Sequence, residues 1–268
     1  MIRVFAIICV LLCGVPAFAQ DRFITLQSTT STQNSGLLDV LIPQFRAQTG
    51  IDVRVIAVGT GQALRNAQNG DGDVLLVHDR TAEDQFVTDG FGIDRRDVMY
   101  NDFVIVGPAN LTSMTDSRAD TTAALTQIAT SETLFVSRGD DSGTHKAEQR
   151  LWLSTGIFPN GPWYREAGAG MGATLNIAIG MGAYTLADRA TWTAFGNKGA
   201  HQIVVEGDPR LFNPYGVILV NPELHPHVKS DDARAFSDWL VSPIGQAAIT
   251  AFQIDGKQVF FANAQSSK

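Results

Sequence analysis

The sequence predicts an α/β fold of two lobes, each a mainly parallel sheet flanked by helices, with a ligand cleft between the lobes. Apolar residues switch repeatedly between the strand period of two and the helix period along the chain. About 250 residues follow an N-terminal leader, which is large for one doubly wound sheet and suits two lobes. Strands are followed by small or hydroxyl residues and then by helices, as at the ligand-binding edge of parallel sheets.

The N-terminus has the pattern of a secretory signal peptide. Arg3 supplies a positive charge, residues 4–15 are apolar, and AFA at 17–19 provides the small residues that a signal peptidase reads. We expect cleavage after Ala19; a retained anchor is the alternative, but the apolar run is shorter than the ~20 residues that span a bilayer. Cys9 and Cys13 both lie in this segment, so the mature chain contains no disulfide and no thiolate.

The mature chain is acidic. The full sequence has 20 Lys and Arg against 27 Asp and Glu, a net charge of −7, and loss of Arg3 with residues 1–19 makes it −8. Such a chain is a poor nucleic-acid binder, and we expect no nucleic-acid partner. Its overall field repels anions, so a bound anion has to be held by local donors and helix dipoles.

The first half of the chain has a clear signal for each element. Apolar residues recur at helical spacing over 37–45, and Gly50 ends that helix, whereas 51–58 follows the period of two. The elements predicted up to a break at Gly107-Pro108 are strands at 23–26, 51–58, 74–77 and 100–106 and helices at 37–45, 62–68 and 82–88.

The second half continues the alternation. The elements predicted there are helices at 123–129, 144–153, 174–179, 233–240 and 245–252 and strands at 133–136, 184–186, 203–205 and 215–220. We place the crossings between lobes near 102–106 and 213–217. Lobe I then consists of residues 20–103 and 213–268, and lobe II of residues 104–212.

Four junctions share one design, in which a strand ends, small or hydroxyl residues follow, and a helix begins. They are STTST at 28–32, GTG at 59–61, SRGDDSGT at 137–144 and GAGMG at 168–172. Helix N-termini leave backbone N–H groups unpaired and carry a partial positive charge. A tetrahedral oxyanion presents only acceptors, so several such starts facing one point form a site for it. Each junction alone is equally typical of a cap or a turn; four in one chain favour a ligand site.

Arg138 is the one cation in these junctions. Its guanidinium offers planar, bidentate donors suited to an oxyanion and keeps its charge at all relevant pH values. Asp140 and Asp141 lie beside it, and either can orient Arg138 or cap the helix near Thr144. A carboxylate facing the pocket would instead favour an anion that carries a proton, such as hydrogen phosphate.

Eight segments carry a resemblance to one family: STTSTQNSGLLDVLIPQF (28–45), VIAVGTGQAL (55–64), GDGDVLLVHD (70–79), VMYNDFVIVGP (98–108), FVSRGDDSGTHKAE (135–148), GAGMGATLNIA (168–178), AYTLADRATW (183–192) and NPYGVILVNP (213–222). VLLVHD and SRGDDSGTH are specific to that group rather than to the fold. The chain resembles the tungstate-binding proteins of bacterial ABC importers (the TupA type), which are type II periplasmic binding proteins.

The resemblance implies oxyanion contacts from Thr29, Thr30, Ser31, Thr60 and Arg138. Ser28 departs from the Thr-Thr-Thr-Ser motif of the family but keeps a hydroxyl. Further candidates, from the geometry of helix starts, are Ser142, Gly143, Thr144, Gly170, Met171 and Gly172. The resemblance also implies a periplasmic monomer without enzymatic activity or cofactor, tungstate as ligand, and the permease of an ABC importer in the inner membrane as partner.

Two alternatives concern the ligand. Phosphate-binding proteins use a similar Arg…Ser-Gly-Thr loop, so that motif does not discriminate between phosphate and tungstate. Molybdate has nearly the size, charge and shape of tungstate, and the residues alone do not separate the two.

Two further alternatives concern the class of protein. Ser142 and His145 within GDDSGTH suggest a serine hydrolase, but the residues of a catalytic triad come from separate parts of a fold. Ser142 and His145 are only three residues apart at a predicted helix start, a spacing that suits capping better than catalysis. Binding of a metal cation would need several ligands close together. We expect the histidine side chains to be solvated instead. These histidines are His78, His145, His201, His225 and His227.

Overall fold

The computed structural model describes residues 22–108 and 119–264. The predicted signal peptide, residues 1–19, lies outside the described residues. The strands of the described chain are β1 (Phe23–Thr29), β2 (Asp52–Val58), β3 (Val74–Val77), β4 (Gly92–Pro108), β5 (Phe135–Ser137), β6 (Tyr164–Glu166), β7 (Thr185–Asp188), β8 (His201–Val205), β9 (Phe212–Val220), β10 (Gln253–Ile254), β11 (Lys257–Gln258) and β12 (Phe261–Ala262).

Helices alternate with these strands, which confirms the predicted α/β class. They are α1 (Thr30–Asn34), α2 (Leu37–Thr49), α3 (Thr60–Gln68), α4 (Arg80–Thr88), α5 (Thr121–Thr130), α6 (Gly143–Thr155), α7 (Met171–Met181), α8 (Arg189–Ala194), α9 (Ser230–Val241) and α10 (Pro243–Ala251). Within the described ranges, none of them is long and apolar enough to cross a membrane.

One long strand runs through two groups of paired strands. The larger group has the order β12-β4-β9-β3-β1-β2, and β7 and β8 pair with the far part of β4. As far as Asp102, β4 pairs with β9, and from Phe103 onward it pairs with β7 and β8. The chain therefore leaves the first group along β4 and returns to it along β9.

The prediction of mainly parallel sheets is wrong for the strands around β4. Only β1–β2, β1–β3 and β5–β6 are parallel among the named pairs, whereas β9 lies antiparallel to β3 and β4, and β7, β8 and β12 lie antiparallel to β4. The reason is topological. The chain leaves the larger group along β4 and returns along β9, so the two strands run in opposite directions. Apolar periodicity reports burial and carries no information on direction.

Several short elements have no signal in the sequence. Helix α1 has the sequence TSTQN, which contains no apolar residue and hence no period. Strand β6 has three residues, and β10, β11 and β12 have two each. Strand β4 begins eight residues before the predicted start at Tyr100, because the four charged residues at 94–97, between Ile93 and Val98, hide the strand period of two.

Two aromatic clusters anchor the main cores. Phe45 of α2 packs edge-on against Phe236 of α9, with ring centroids 5.0 Å apart. Trp152 of α6 packs edge-on against Phe135 of β5 at 5.3 Å. All four rings are almost completely buried. Truncation of such a ring to alanine destabilises a protein by about 3–5 kcal/mol.

Glu148 of α6 is a buried carboxyl group in the second of these clusters. It accepts hydrogen bonds from Trp152 Nε1 at 3.2 Å and Tyr164 Oη at 2.8 Å. Burial raises the pKa of Glu148 from 4.5 to about 7, against the opposing effect of these donors. The folded protein therefore keeps a proton there that the unfolded chain releases above about pH 4.5.

Stability should accordingly fall as pH rises from about 4.5 to about 7, by at most about 1.4 kcal/mol per pH unit for this one group, and level off above pH 7. We expect Glu148→Gln to remove that part of the slope, since its amide mimics the protonated acid. Urea unfolding between about pH 5 and 8 measures it, with exposed Glu223→Gln as the control. The pKa of Glu83 is also raised to about 7, so a residual slope is expected. Parallel pH profiles for Glu148→Gln and the unmodified protein would contradict the prediction.

Candidate oxyanion site

The junction between β1 and α1 presents hydroxyl groups in a buried position. Thr29 has an extended backbone and caps α1, its Oγ1 accepting from the backbone N–H of Thr32 at 3.3 Å. Thr29 Oγ1 also lies 3.0 Å from Ser31 Oγ. Thr29 and Ser31 are buried, whereas Thr30 is partly exposed at the first position of the helix.

The junction between β2 and α3 leaves donors unpaired. Gly59 occupies the cap position, and within the described parts of the chain no side-chain cap hydrogen bond is made at the start of α3. Thr60 is fully buried, and its Oγ1 has no hydrogen-bond partner among the described residues. A buried hydroxyl without a partner is costly, by about 1–3 kcal/mol.

Arg138 follows β5 and is almost completely buried, with 3% of its side chain exposed. Asp140 holds its guanidinium: Oδ2 pairs with Nη2, while Oδ1 accepts from the backbone N–H of Ser142 at 3.2 Å. Arg138 Nε has no partner among the described groups. Asp141 turns elsewhere, to Arg65 at 3.2 Å and Lys146 at 3.5 Å. Asp140 is therefore the carboxylate that orients Arg138.

The start of α6 lies directly against the start of α3. Ser142 caps α6 by accepting from the backbone N–H of His145, and Thr144 Oγ1 is buried without a partner in the described structure. A Cβ placed on Gly143 would lie 2.9 Å from Thr60 Oγ1 and 2.9 Å from His78 Cε1. Only glycine allows this approach, which brings the second and third junctions together.

The fourth junction lies beside the third. The backbone N–H of Ala169 donates to the carbonyl of Arg138 at 3.3 Å. Gly170 caps α7 without a side-chain bond, so the first amides of that helix, at Met171 and Gly172, have no capping side chain among the residues that the structure describes. The Met171 side chain is fully buried in an apolar cluster with Leu175, which leaves it only a backbone role toward a ligand. No hydrogen bond among the described residues joins this loop to the first two junctions.

His78 is a site residue that the sequence interpretation missed. It follows buried β3, has 3% exposure, and lies 3.2 Å from Ser31 Oγ through Nε2 and 3.0 Å from Asn213 Oδ1 through Nδ1. Its ring stacks on Tyr215 with centroids 4.8 Å apart. Burial lowers the pKa of His78. Its place at the carboxyl end of a buried strand, where ligands bind in α/β folds, was the available signal.

The expectation of solvated histidines is also wrong for His145 and His201, which are buried, whereas His225 is partly exposed and His227 is exposed. His225 and His227 pin their loop by donating from Nε2 to the carbonyls of Gln68 at 3.0 Å and Gly70 at 2.9 Å. His145 and His201 are buried and hydrogen-bonded. Carbonyls of other segments, which periodicity does not reveal, provide the partners of His201, His225 and His227, whereas His145 bonds locally to Asp141 and Gln149.

The hydrolase alternative is not favoured by the geometry. Ser142 Oγ accepts from the backbone N–H of His145 rather than from its ring. The His145 ring accepts at Nδ1 from the backbone N–H of Asp141 and contacts Gln149 through Nε2. A catalytic base has to face the hydroxyl that it deprotonates, and here it does not.

The fold and the site define an α/β protein with a buried, donor-rich cluster where strand-to-helix junctions meet. A sequence profile described as PBP superfamily domain matches residues 15–243. The chain belongs to the PBP superfamily and, within it, to the family of the TupA proteins.

Curated relatives and solved structures support this placement. The tungstate-binding protein TupA of Peptoclostridium acidaminophilum is 47% identical over 245 residues, 90% of this chain and 86% of that protein. The crystal structure of the tungstate ABC transporter from Geobacter sulfurreducens is 49% identical, with a TM-score of 0.78 over 86% of this chain and 98% of that one. TupA from Desulfovibrio alaskensis G20 is 44% identical, with a TM-score of 0.76 over 91% and 100%. The predicted periplasmic-binding-protein fold is thereby confirmed.

Proposed function

We propose that this protein captures tungstate and delivers it to an ABC importer. The observation that carries the proposal is a set of buried donors without partners among the described residues, Thr60 Oγ1, Thr144 Oγ1 and Arg138 Nε, in the two junctions that meet at Gly143. An oxyanion offers only acceptors, so one ligand can satisfy all three. The ligand named for the relatives, tungstate, has this chemistry.

The arrangement of carboxylates supports a fully deprotonated anion over hydrogen phosphate. Asp140 is committed to Arg138 and to a backbone amide, and Asp141 pairs with exposed cations. Neither carboxylate is therefore available to accept a hydrogen bond from a protonated anion such as hydrogen phosphate. Molybdate presents the same acceptors as tungstate and stays the second candidate ligand.

Closure of two lobes over the anion is part of the proposal. With lobe I at 20–103 and 213–268 and lobe II at 104–212, three ion pairs among the described residues join the lobes. One of them, Arg189–Asp102 at 2.6 Å, lies beside the crossing. Arg150 lies 3.3 Å from the buried Asp79, and Arg65 lies 3.2 Å from Asp141. These pairs support a closed arrangement, and hinge closure of this kind is common in periplasmic binding proteins.

Export and delivery complete the proposal. The protein would be secreted, cleaved after Ala19, and act in the periplasm as a monomer. The closed form would dock on the permease of the importer in the inner membrane. A relative from Haloferax volcanii, a putative ABC transporter anion-binding protein, is 47% identical over 248 residues and supports the transporter role.

Calorimetric titration of the mature chain, residues 20–268, with tungstate, molybdate, sulfate and phosphate tests the proposal. We expect tight tungstate binding and weak or absent phosphate binding, because Asp140 and Asp141, the two carboxylates beside Arg138, are both committed to other partners. Tight phosphate binding with weak tungstate binding would overturn it. The molybdate isotherm, compared with that of tungstate, decides between the two candidates.

A further inference from the structure

A chain of hydrogen bonds links the site hydroxyls to the hinge-side strands through His78. Thr32 Oγ1 lies 2.7 Å from Thr29 Oγ1, and Thr29 Oγ1 lies 3.0 Å from Ser31 Oγ. Ser31 Oγ in turn lies 3.2 Å from His78 Nε2. On the other side of the ring, Nδ1 lies 3.0 Å from Asn213 Oδ1. Every member of this chain is buried.

The far end of the chain sets the tautomer of His78. Asn213 Nδ2 donates to Asn101 Oδ1 at 2.6 Å, so Asn213 turns its Oδ1 toward the ring. A carbonyl oxygen only accepts, and His78 Nδ1 therefore carries a proton. The neutral ring has one N–H group, which makes Nε2 an acceptor.

The direction of the remaining bonds follows from that tautomer. Ser31 has one hydroxyl proton and donates it to His78 Nε2. Thr29 then has to donate to Ser31 and Thr32 to Thr29, since each hydroxyl has a single proton. With neutral His78, neither Thr29 nor Ser31 has a proton left for an oxyanion.

Protonation of His78 reverses the bond between His78 and Ser31. Nε2–H then donates to Ser31 Oγ, and the hydroxyl proton of Ser31 is free to point at a ligand while Thr29 still donates to Ser31. The ring also adds a positive charge beside the anion. The same residue thus changes both the number of donors and the charge of the site.

The charges around His78 act in opposite directions. Asp188, at the end of β7, and Asp79, the next residue in the chain, raise its pKa, whereas Arg138 lowers it. Burial is the largest effect and lowers it. From β9, Tyr215 stacks on the ring, and burial keeps the pKa of that phenol well above its usual range, so it adds no charge. The free protein therefore has a neutral ring, and an arriving dianion favours the protonated one.

We propose that binding of the oxyanion is coupled to uptake of one proton from solvent by His78, which turns the hydroxyl of Ser31 toward the ligand. This rests on the proposed function and adds to it a pH dependence of capture. Tungstate affinity rises as pH falls, by up to about tenfold per pH unit where the free ring is neutral and the bound ring protonated.

Calorimetry in buffers of different ionisation enthalpy counts the protons taken up with each tungstate bound. We expect a value approaching one for the unmodified protein and near zero for His78→Gln, whose affinity should no longer vary between about pH 6.5 and 8. The matched control is His225→Gln, whose ring donates to the carbonyl of Gln68. It should retain the proton uptake.

Nitrogen-15 NMR of labelled histidine measures the tautomer and protonation state of the His78 ring directly. The His78 signal is assigned by its loss in His78→Gln. We expect the neutral Nδ1–H tautomer in the free protein and an imidazolium with tungstate bound. A free Nε2–H tautomer, or a neutral ring in the complex, would overturn the inference. Absence of any tungstate heat would instead contradict the proposed function, while the free-state tautomer would still be readable.

Discussion

Replacement of Arg138 by alanine is expected to weaken tungstate binding by about 3–5 kcal/mol, more than a hundredfold. The side chain is 3% exposed, so its bonds to the ligand form with little competition from water. Its loss also strands the carboxylate of Asp140, which pairs with it in the intact site. Repulsion between that carboxylate and the anion adds to the lost attraction.

Titration calorimetry of the folded variant measures the effect. Arg46→Ala is the matched control, because this arginine is 66% exposed on α2 and pairs with Asp52 at 3.7 Å, away from the junctions. The double variant Arg138→Ala/Asp140→Ala should recover part of the affinity by removing the stranded charge. Unchanged affinity in folded Arg138→Ala would show that Arg138 has no contact with the anion.

Arg95→Ala is expected to destabilise the fold by about 3–5 kcal/mol, the usual penalty for stranding a buried charge. Glu83 of α4 is fully buried and pairs with Arg95 at 2.8 Å, and it also accepts from the backbone N–H of Asp79 at 2.9 Å. The pair packs on Gly216 of β9, where an added Cβ would clash with Glu83 Oε2. It thereby holds the start of α4, and with it His78, against β4 and β9.

Urea unfolding at neutral pH measures this penalty, and Arg80→Ala is the matched control. Arg80 also pairs with Asp84 and Asp97 but is 51% exposed, so its removal should cost less than about 1 kcal/mol. The penalty of Arg95→Ala should shrink at acidic pH, because burial already raises the pKa of Glu83 to about 7 and protonation removes its charge. Equal losses in the two variants would refute the buried-pair argument.

The four junctions show how much of the candidate site the local sequence pattern predicts. The four predicted starts all occur at the ends of strands, because glycine, hydroxyl residues and the change of period are readable within a dozen residues. The sequence pattern does not decide which of Asp140 and Asp141 orients Arg138. The structure separates them, since Asp140 bonds within its own loop while Asp141 reaches Arg65, 76 residues away along the chain.

The sequence by itself determined the α/β class, most helices and strands, the acidic balance and the family resemblance, because periodicity, composition and motifs are local properties. Tertiary structure alone decided that β9 runs antiparallel to β3 and β4 and that Gly143 meets Thr60. It also decided that His78 is buried between Ser31 and Asn213, which is 135 residues away. Strand direction, burial of a polar side chain and the direction of a hydrogen bond depend on partners distant in the chain, and no local pattern encodes those partners.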